Sequence, residues 1–175
     1  MARNGARVLH DEAVAYAHKA GIELLASATT ARTPGTRIQV EPLPPRITAI
    51  TADSDLERYC SPQMSSLLLA LNTAGAPIRL ADSSQVVVDL RNWPDKSLLS
   101  LPQGSESLGS ISMVSAVGGG VGSDLDVVLV GSRALAMAEV DVVSFSTTPE
   151  SVRWLVKPDF LATAERVLHA ALIAS

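Results

Sequence analysis

Between Val117 and Asp124 the chain reads Val-Gly-Gly-Gly-Val-Gly-Ser-Asp. Clustered glycines permit positive φ and let backbone amides close on an anion. Gly118, Gly119, Gly120 and Gly122, with Ser123 and Asp124, are therefore candidate contacts for a carboxylate or phosphate. The competing role is a tight structural turn. A dinucleotide fingerprint is excluded, because the glycine spacing is wrong and no βαβ unit with a ribose-binding acid follows. Cys60 is the single cysteine, which rules out an internal disulfide and a cysteine-rich metal site. Its only local basic neighbour is Arg58, poor activation for a nucleophile. His10, His18 and His169 are scattered, and none has metal-ligand spacing with Cys60. No cofactor and no metal is called for.

These residues sit in a chain of 175 with 14 basic and 18 acidic side chains, a net charge of -4. Nucleic-acid binding needs a clustered basic excess, so that class is set aside. Apolar residues make up 47 %, mostly Ala, Leu and Val, which places the chain in the folded class with a core of small aliphatic groups. No apolar run approaches the roughly 18 residues of a membrane span. Met1-Ala-Arg-Asn-Gly5 lacks the apolar stretch of a secretory signal. A soluble, cytoplasmic protein is expected.

Asp11 is a plausible helix N-cap, Ala13, Val14, Ala17 and Ala20 recur at helical spacing, and Gly21 sits where a glycine would end the helix. Ile22 to Ala26 and Thr36 to Val40 read as strands around a Pro34-Gly35 turn. Pro42, Pro44 and Pro45 follow as a stiff linker. Beyond it lies an internal repeat. Ile47-Thr-Ala-Ile-Thr51 and Ile111-Ser-Met-Val-Ser115 are 64 residues apart, and the same offset carries Ala70-Leu71 onto Ala134-Leu135, Ala74 onto Ala138 and Ile78 onto Val142. Duplicated supersecondary units are the natural reading. Each reads strand, polar loop, helix, strand, turn, strand. In the second these fall at about 111–117, 124–138, 140–146 and 151–157, followed by a helix over 159–173. Residues 92–110 are rich in Pro, Ser and Gly, so the first unit lacks that second helix and needs its sheet completed by the other unit or another chain. The fold class is α+β, with helices on one face of an antiparallel sheet. Trp93 and Trp154, each following an apolar strand, are expected to pack against sheets or an interface.

Arg7-Val-Leu-His10, Asp11-Glu-Ala-Val-Ala-Tyr-Ala17, Gly21-Ile-Glu-Leu24 and Pro34-Gly-Thr-Arg-Ile38 together resemble the end of the catalytic domain of the aspartate kinase family. Ile111-Ser-Met-Val-Ser-Ala-Val-Gly118 is similar to the first strand and glycine loop of that family's second regulatory module, and Ala164-Glu-Arg-Val-Leu-His169-Ala-Ala-Leu172 to its final helix. The resemblance implies tandem ACT-like modules of ferredoxin-like βαββαβ type. It divides the chain into a kinase-domain remnant at 1–40, a linker at 41–46, an incomplete first module at 47–110 and a second at 111–175. Nothing resembles the family's phosphate-binding segment, catalytic lysine or aspartates, so no catalytic residue is assigned. The chain alone is expected not to phosphorylate aspartate.

In such modules an amino acid sits where the strand-to-helix loop of one module faces the second strand of a partner. The resemblance places that loop at Ala52–Pro62 and the facing strand at Ile78–Ser84. Asp53, Asp55 and Asp82 would meet an ammonium, Ser54, Ser61, Ser83 and Ser84 offer hydroxyls, and Ile78 lines the strand. The alternatives are that Ser61 caps a helix with Pro62 at its first position, and that the aspartates are solvated. Arg79 stands where lysine-regulated relatives often carry an acid; an arginine reverses that charge and would repel lysine, which points to another effector, a vestigial site or a surface arginine. The leading expectation is a non-catalytic regulatory module that binds a small amino acid and forms a homodimer. A small subunit completing a kinase on a separate chain, and a purely structural dimerisation module, are the other two.

Overall fold

The structure is a computed structural model and describes residues 13, 16, 17, 20–26, 36–38 and 47–173. Near the N-terminus Ala13, Tyr16, Ala17 and Ala20 are helical. Gly21 ends that turn at φ 66°, and the Ile22 amide bonds back to the Ala17 carbonyl at 2.8 Å. A left-handed residue after the last helical turn is the conformation glycine adopts without strain. Strands β1 (Leu24–Ala26) and β2 (Thr36–Ile38) pair antiparallel. Asp11, His10, His18, the Pro34-Gly35 turn and the proline linker lie outside the described residues.

The main body is one antiparallel sheet of six strands. It runs β3 (Ile47–Cys60), helix α1 (Met64–Thr73), β4 (Ile78–Ala81), β5 (Val86–Asp89), β6 (Glu106–Gly118), α2 (Leu125–Met137), β7 (Val142–Thr148), β8 (Ser151–Val156) and α3 (Leu161–Leu172). The strand order is β4-β5-β3-β6-β8-β7. The 64-residue offset reappears in the elements: Thr73 and Met137 end the two helices, and Ile78 and Val142 begin the strands that follow. The β3–β6 ladder joins the two units, so the first sheet is completed by the second unit of the same chain.

Cross-strand partners show which side chains share a face. Glu57 lies opposite Val88 and Ser110, on the face that Ser112 and Val114 continue, and that face carries α1, α2 and α3. Under α2 and α3 it packs Val114, Ala116, Val152, Trp154, Val156, Leu135 and Leu168, with Gly131 of α2 seated against the Trp154 ring. Under α1 it packs Tyr59, Val86 and Val88 against Leu67 and Leu71. Where a second helix is missing, Trp93 fills the gap. It is buried among these residues, and its Nε1 donates to the Ala74 carbonyl at 2.8 Å.

The opposite face is concave. Leu56, Val87, Ile111, Met113 and Leu155 form an apolar floor there. The sheet curls so far that Gln85 of the β4–β5 turn donates through Nε2 to Ser144 Oγ of β7 at 3.1 Å. In a flat sheet β5 and β7, four strand positions apart, would be roughly 19 Å from each other. Both faces of β5 are therefore buried, and Val86 to Asp89 are closed to solvent.

Three sequence expectations are corrected. Ala52–Pro62 is not a loop: strand continues to Cys60, and α1 begins at Met64 rather than at Pro62. The strand facing it stops at Ala81, so Asp82, Ser83 and Ser84 form a turn. Strand β6 also begins earlier than expected, at Glu106. The cause of the first correction is a bulge. Asp55 adopts φ 60°, and the register slips between Asp53 and Leu56. One extra residue is absorbed, which keeps both Asp53 and Leu56 on the concave side and lets the strand run on. Aspartate tolerates this left-handed conformation better than most residues.

Candidate functional site

The bulge delivers Asp53 to the concave face beside β4 and β5, where four charged side chains meet. Asp53 and Asp89 are fully buried. Arg79 of β4 donates through Nη2 to Asp89 Oδ2 at 2.6 Å, and its Nε lies 3.6 Å from Asp53 Oδ2. Arg91, just past β5, bonds Asp53 Oδ1 through Nη2 and places Nε 3.6 Å from Asp89 Oδ1. The backbone amide of Arg91 and the side-chain amide of Asn92 also donate to Asp89, at 2.9 and 2.8 Å. Burial works to raise the Asp89 pKa, but Arg79, the Arg91 amide and Asn92 overcome it and hold the carboxyl below its ordinary range.

Of the predicted site residues, Asp53, Asp55 and Arg79 are brought together. Their expected roles change with the company they keep. Arg79 is 11 % exposed in its side chain and bound by two buried carboxylates, so it is not a surface arginine. Its charge is met inside the protein rather than turned toward an incoming ligand. Asp53 is engaged in the same network. Asp55 is 57 % exposed, 3.8 Å from Arg91 Nε, and accepts from Ser54 Oγ at 2.9 Å. Ile78 is 42 % exposed on the edge strand. Asp55 is thus the exposed neighbour of a closed ionic interior, while Ile78, opposite Val88, belongs to the helix-bearing face of the edge strand.

The remaining first-unit residues sit elsewhere. Asp82 Oδ1 accepts from the Ser84 amide, the Ser84 hydroxyl and the Gln85 amide at 2.7, 2.6 and 3.0 Å, closing the β4–β5 turn with Ser83 exposed between them. Burial favours a higher pKa for Asp82, and these donors pull it below the usual value instead. Ser61 Oγ accepts from the Gln63 amide and from Ser105 Oγ, at 3.0 and 2.9 Å, which ties the start of α1 to the segment before β6. Pro62, against Gly104, serves the same junction.

The glycine loop is built by packing. Gly118 donates to the Glu150 carbonyl at 2.9 Å, Gly120 has φ 71°, and Asp124 caps α2 through the Asp126 amide at 3.0 Å. A Cβ on Gly122 would stand 1.7 Å from the Thr148 carbonyl oxygen, so only glycine lets this loop touch the β7–β8 turn. The Ser123 amide donates back to Gly120 O at 3.0 Å, and Gly119 completes the turn. Sequence reasoning did not select Asp89, Arg91 or Asn92. The Asp-Leu-Arg-Asn run at 89–92, with three hydrogen-bonding side chains directly after an apolar strand, was the available signal.

No protein-family model matches the chain, and no curated protein matches its sequence. Solved structures do match. The ligand-free regulatory subunit of aspartate kinase from Thermus thermophilus is 17 % identical, with a TM-score of 0.59, over 72 % of this chain and 97 % of that one. The fold is that of an aspartate kinase regulatory region. The Clostridium acetobutylicum aspartate kinase matches at 18 % identity and a TM-score of 0.72, covering 96 % of this chain and 45 % of its own. Escherichia coli aspartokinase III in complex with lysine and aspartate matches at 18 % and 0.65, covering 99 % and 44 %. The chain therefore spans somewhat less than half of the longer kinases and nearly all of the separate regulatory subunit. Among the described residues no helix is long and apolar enough to cross a membrane.

Proposed function

We propose that this chain is a non-catalytic regulatory module that senses a small amino acid at an interface between ACT-like modules, in a homodimer. The observation that carries this reading is its fold, shared over nearly the full length of a regulatory subunit that exists as a chain of its own. The exposed carboxylate of Asp55 supports it, because a solvent-facing carboxylate suits an ammonium held between two copies. Unpaired edges such as β4 are where sheets find partners. A ligand that prefers one arrangement of the modules shifts the population, and an attached catalytic chain feels the shift.

The match to a separate regulatory subunit also supports a kinase-like catalytic chain as partner. Thermal unfolding of the purified chain against a panel of free amino acids, with its size in solution, tests the proposal. A ligand at about 100 times its dissociation constant adds roughly 2.7 kcal/mol to stability. A midpoint raised by one amino acid, and lowered in response by Asp55→Ala, is the expected result. A well-folded dimer indifferent to the whole panel overturns the sensing role and leaves a scaffold.

A further inference from the structure

The two units differ most on the outer faces of their equivalent helices. The 64-residue offset carries Leu129, Val130 and Met137 of α2 onto Ser65, Ser66 and Thr73 of α1. Leu125, Leu129 and Met137 turn more than half their surface to water, and Val130 is exposed beside them. By contrast, α1 exposes Leu69 alone among its large apolar side chains, and α3 turns Glu165, Arg166 and His169 outward. A surface helix keeps its apolar side for the core, and α2 already fills that side with Gly131 and Leu135. A second apolar stripe on the far side marks an interaction surface. It has a neighbour on the sheet. Phe145 of the edge strand β7 is exposed on the helix-bearing face, opposite Trp154, the ring on which Gly131 seats α2.

The charges on the stripe say what covers it. Asp126 and Arg133 are both exposed, and two helical turns between them keep them from pairing with each other. Among the described residues neither side chain has an ion-pair partner. Their midpoint falls between Leu129 and Val130. A second α2 laid antiparallel across that midpoint sets Asp126 of each copy against Arg133 of the other, with Leu129 meeting Val130 at the centre. A parallel copy would set like charges together instead. The stripe is thus complementary to itself about a two-fold axis, as an isologous contact requires.

We infer that two copies of this chain associate through α2, antiparallel about a two-fold axis between Leu129 and Val130, with Asp126 and Arg133 pairing twice across the contact. The inference rests on the self-association in the proposed function and adds a contact in the second unit, away from Asp55.

Sedimentation velocity of the full chain over a range of concentrations tests it. Asp126→Arg and Arg133→Asp should each weaken association at least about tenfold, because each sets like charges opposite one another at two places. The double variant, Asp126→Arg with Arg133→Asp, should recover most of the loss. Leu129→Ser should also weaken association, while Ser65→Ala at the equivalent place on α1 should leave it unchanged. All these positions are exposed or at a helix surface, and circular dichroism checks that each variant is folded. Weakening in both reversals without recovery in the double variant overturns the antiparallel pairing. Association untouched by the reversals and by Leu129→Ser overturns the α2 contact and leaves the homodimer of the proposed function standing. A chain that stays monomeric at every concentration overturns both. Association through α2 with no free amino acid raising the unfolding midpoint sustains the contact and overturns sensing.

Discussion

Arg79 Nη2 and Asp89 Oδ2 meet at 2.6 Å across the β4–β5 pair, with the aspartate wholly shut off from water. Such a pair gains little over an apolar one, because both charges lose their hydration on burial. Breaking it is another matter, since the surviving charge stays buried.

Arg79→Met should therefore cost about 3–5 kcal/mol, leaving Asp53 and Asp89 to share Arg91. Adding Asp89→Asn should recover part of that loss, because the stranded charge is removed with its partner. Urea midpoints of the two single variants and the double variant at neutral pH give the coupling. Strict additivity would mean the pair is not coupled.

The network also sets an acid limit. The folded pKa of Asp89 lies below its unfolded value, so its contribution is complete above the unfolded carboxylate range, near about pH 4. It is lost as pH falls through the folded value. Glu57 has the same sign: partial burial favours a higher pKa, but Lys96 and Ser107 outweigh it. The difference in urea midpoint between the native chain and Asp89→Asn should be steady from pH 7 to 5 and shrink at lower pH. A gap that stays constant to acid pH would assign the sensitivity to other groups.

Gly122 and Gly120 make a paired test of the loop before α2. Gly122→Ala drives a methyl into the Thr148 carbonyl and should cost about 3 kcal/mol or more. Gly120→Ala meets open space and pays only for its left-handed backbone, about 1 kcal/mol. Thermal midpoints in the reverse order would show that the loop touches β7–β8 differently.

Trp93 stands in for an absent helix. Trp93→Ala should cost about 3–5 kcal/mol through the cavity it opens over Tyr59, Val86 and Val88. Trp93→Phe keeps much of the packing but leaves the Ala74 carbonyl without its indole donor, a loss of about 1–3 kcal/mol. Denaturant unfolding of both variants checks the split.

Much of this architecture is legible along the chain. The 64-residue offset announces paired units, and the elements keep it at Thr73 and Met137 and at Ile78 and Val142. Gly21 marks a helix end through its own backbone. The missing second helix is readable from residues 92–110, though not its replacement by Trp93. Such features depend on neighbours two to four residues away, which alternation and capping encode directly.

The partners of Arg79 were not written there. An arginine on a short strand reads as a surface charge until Asp53 and Asp89 arrive from two other strands. That depends on one extra residue at Asp55, on the register of β3 against β5 and β6, and on a curl that closes β4 toward β7. Bulges and curl are settled by the packing of the whole sheet. A one-residue slip would turn Asp53 to the helix face and leave Arg79 without it. Local pattern thus fixes which elements form, while long-range register chooses which charges are buried together, because the energy of a buried pair depends on distances that no short stretch of chain contains.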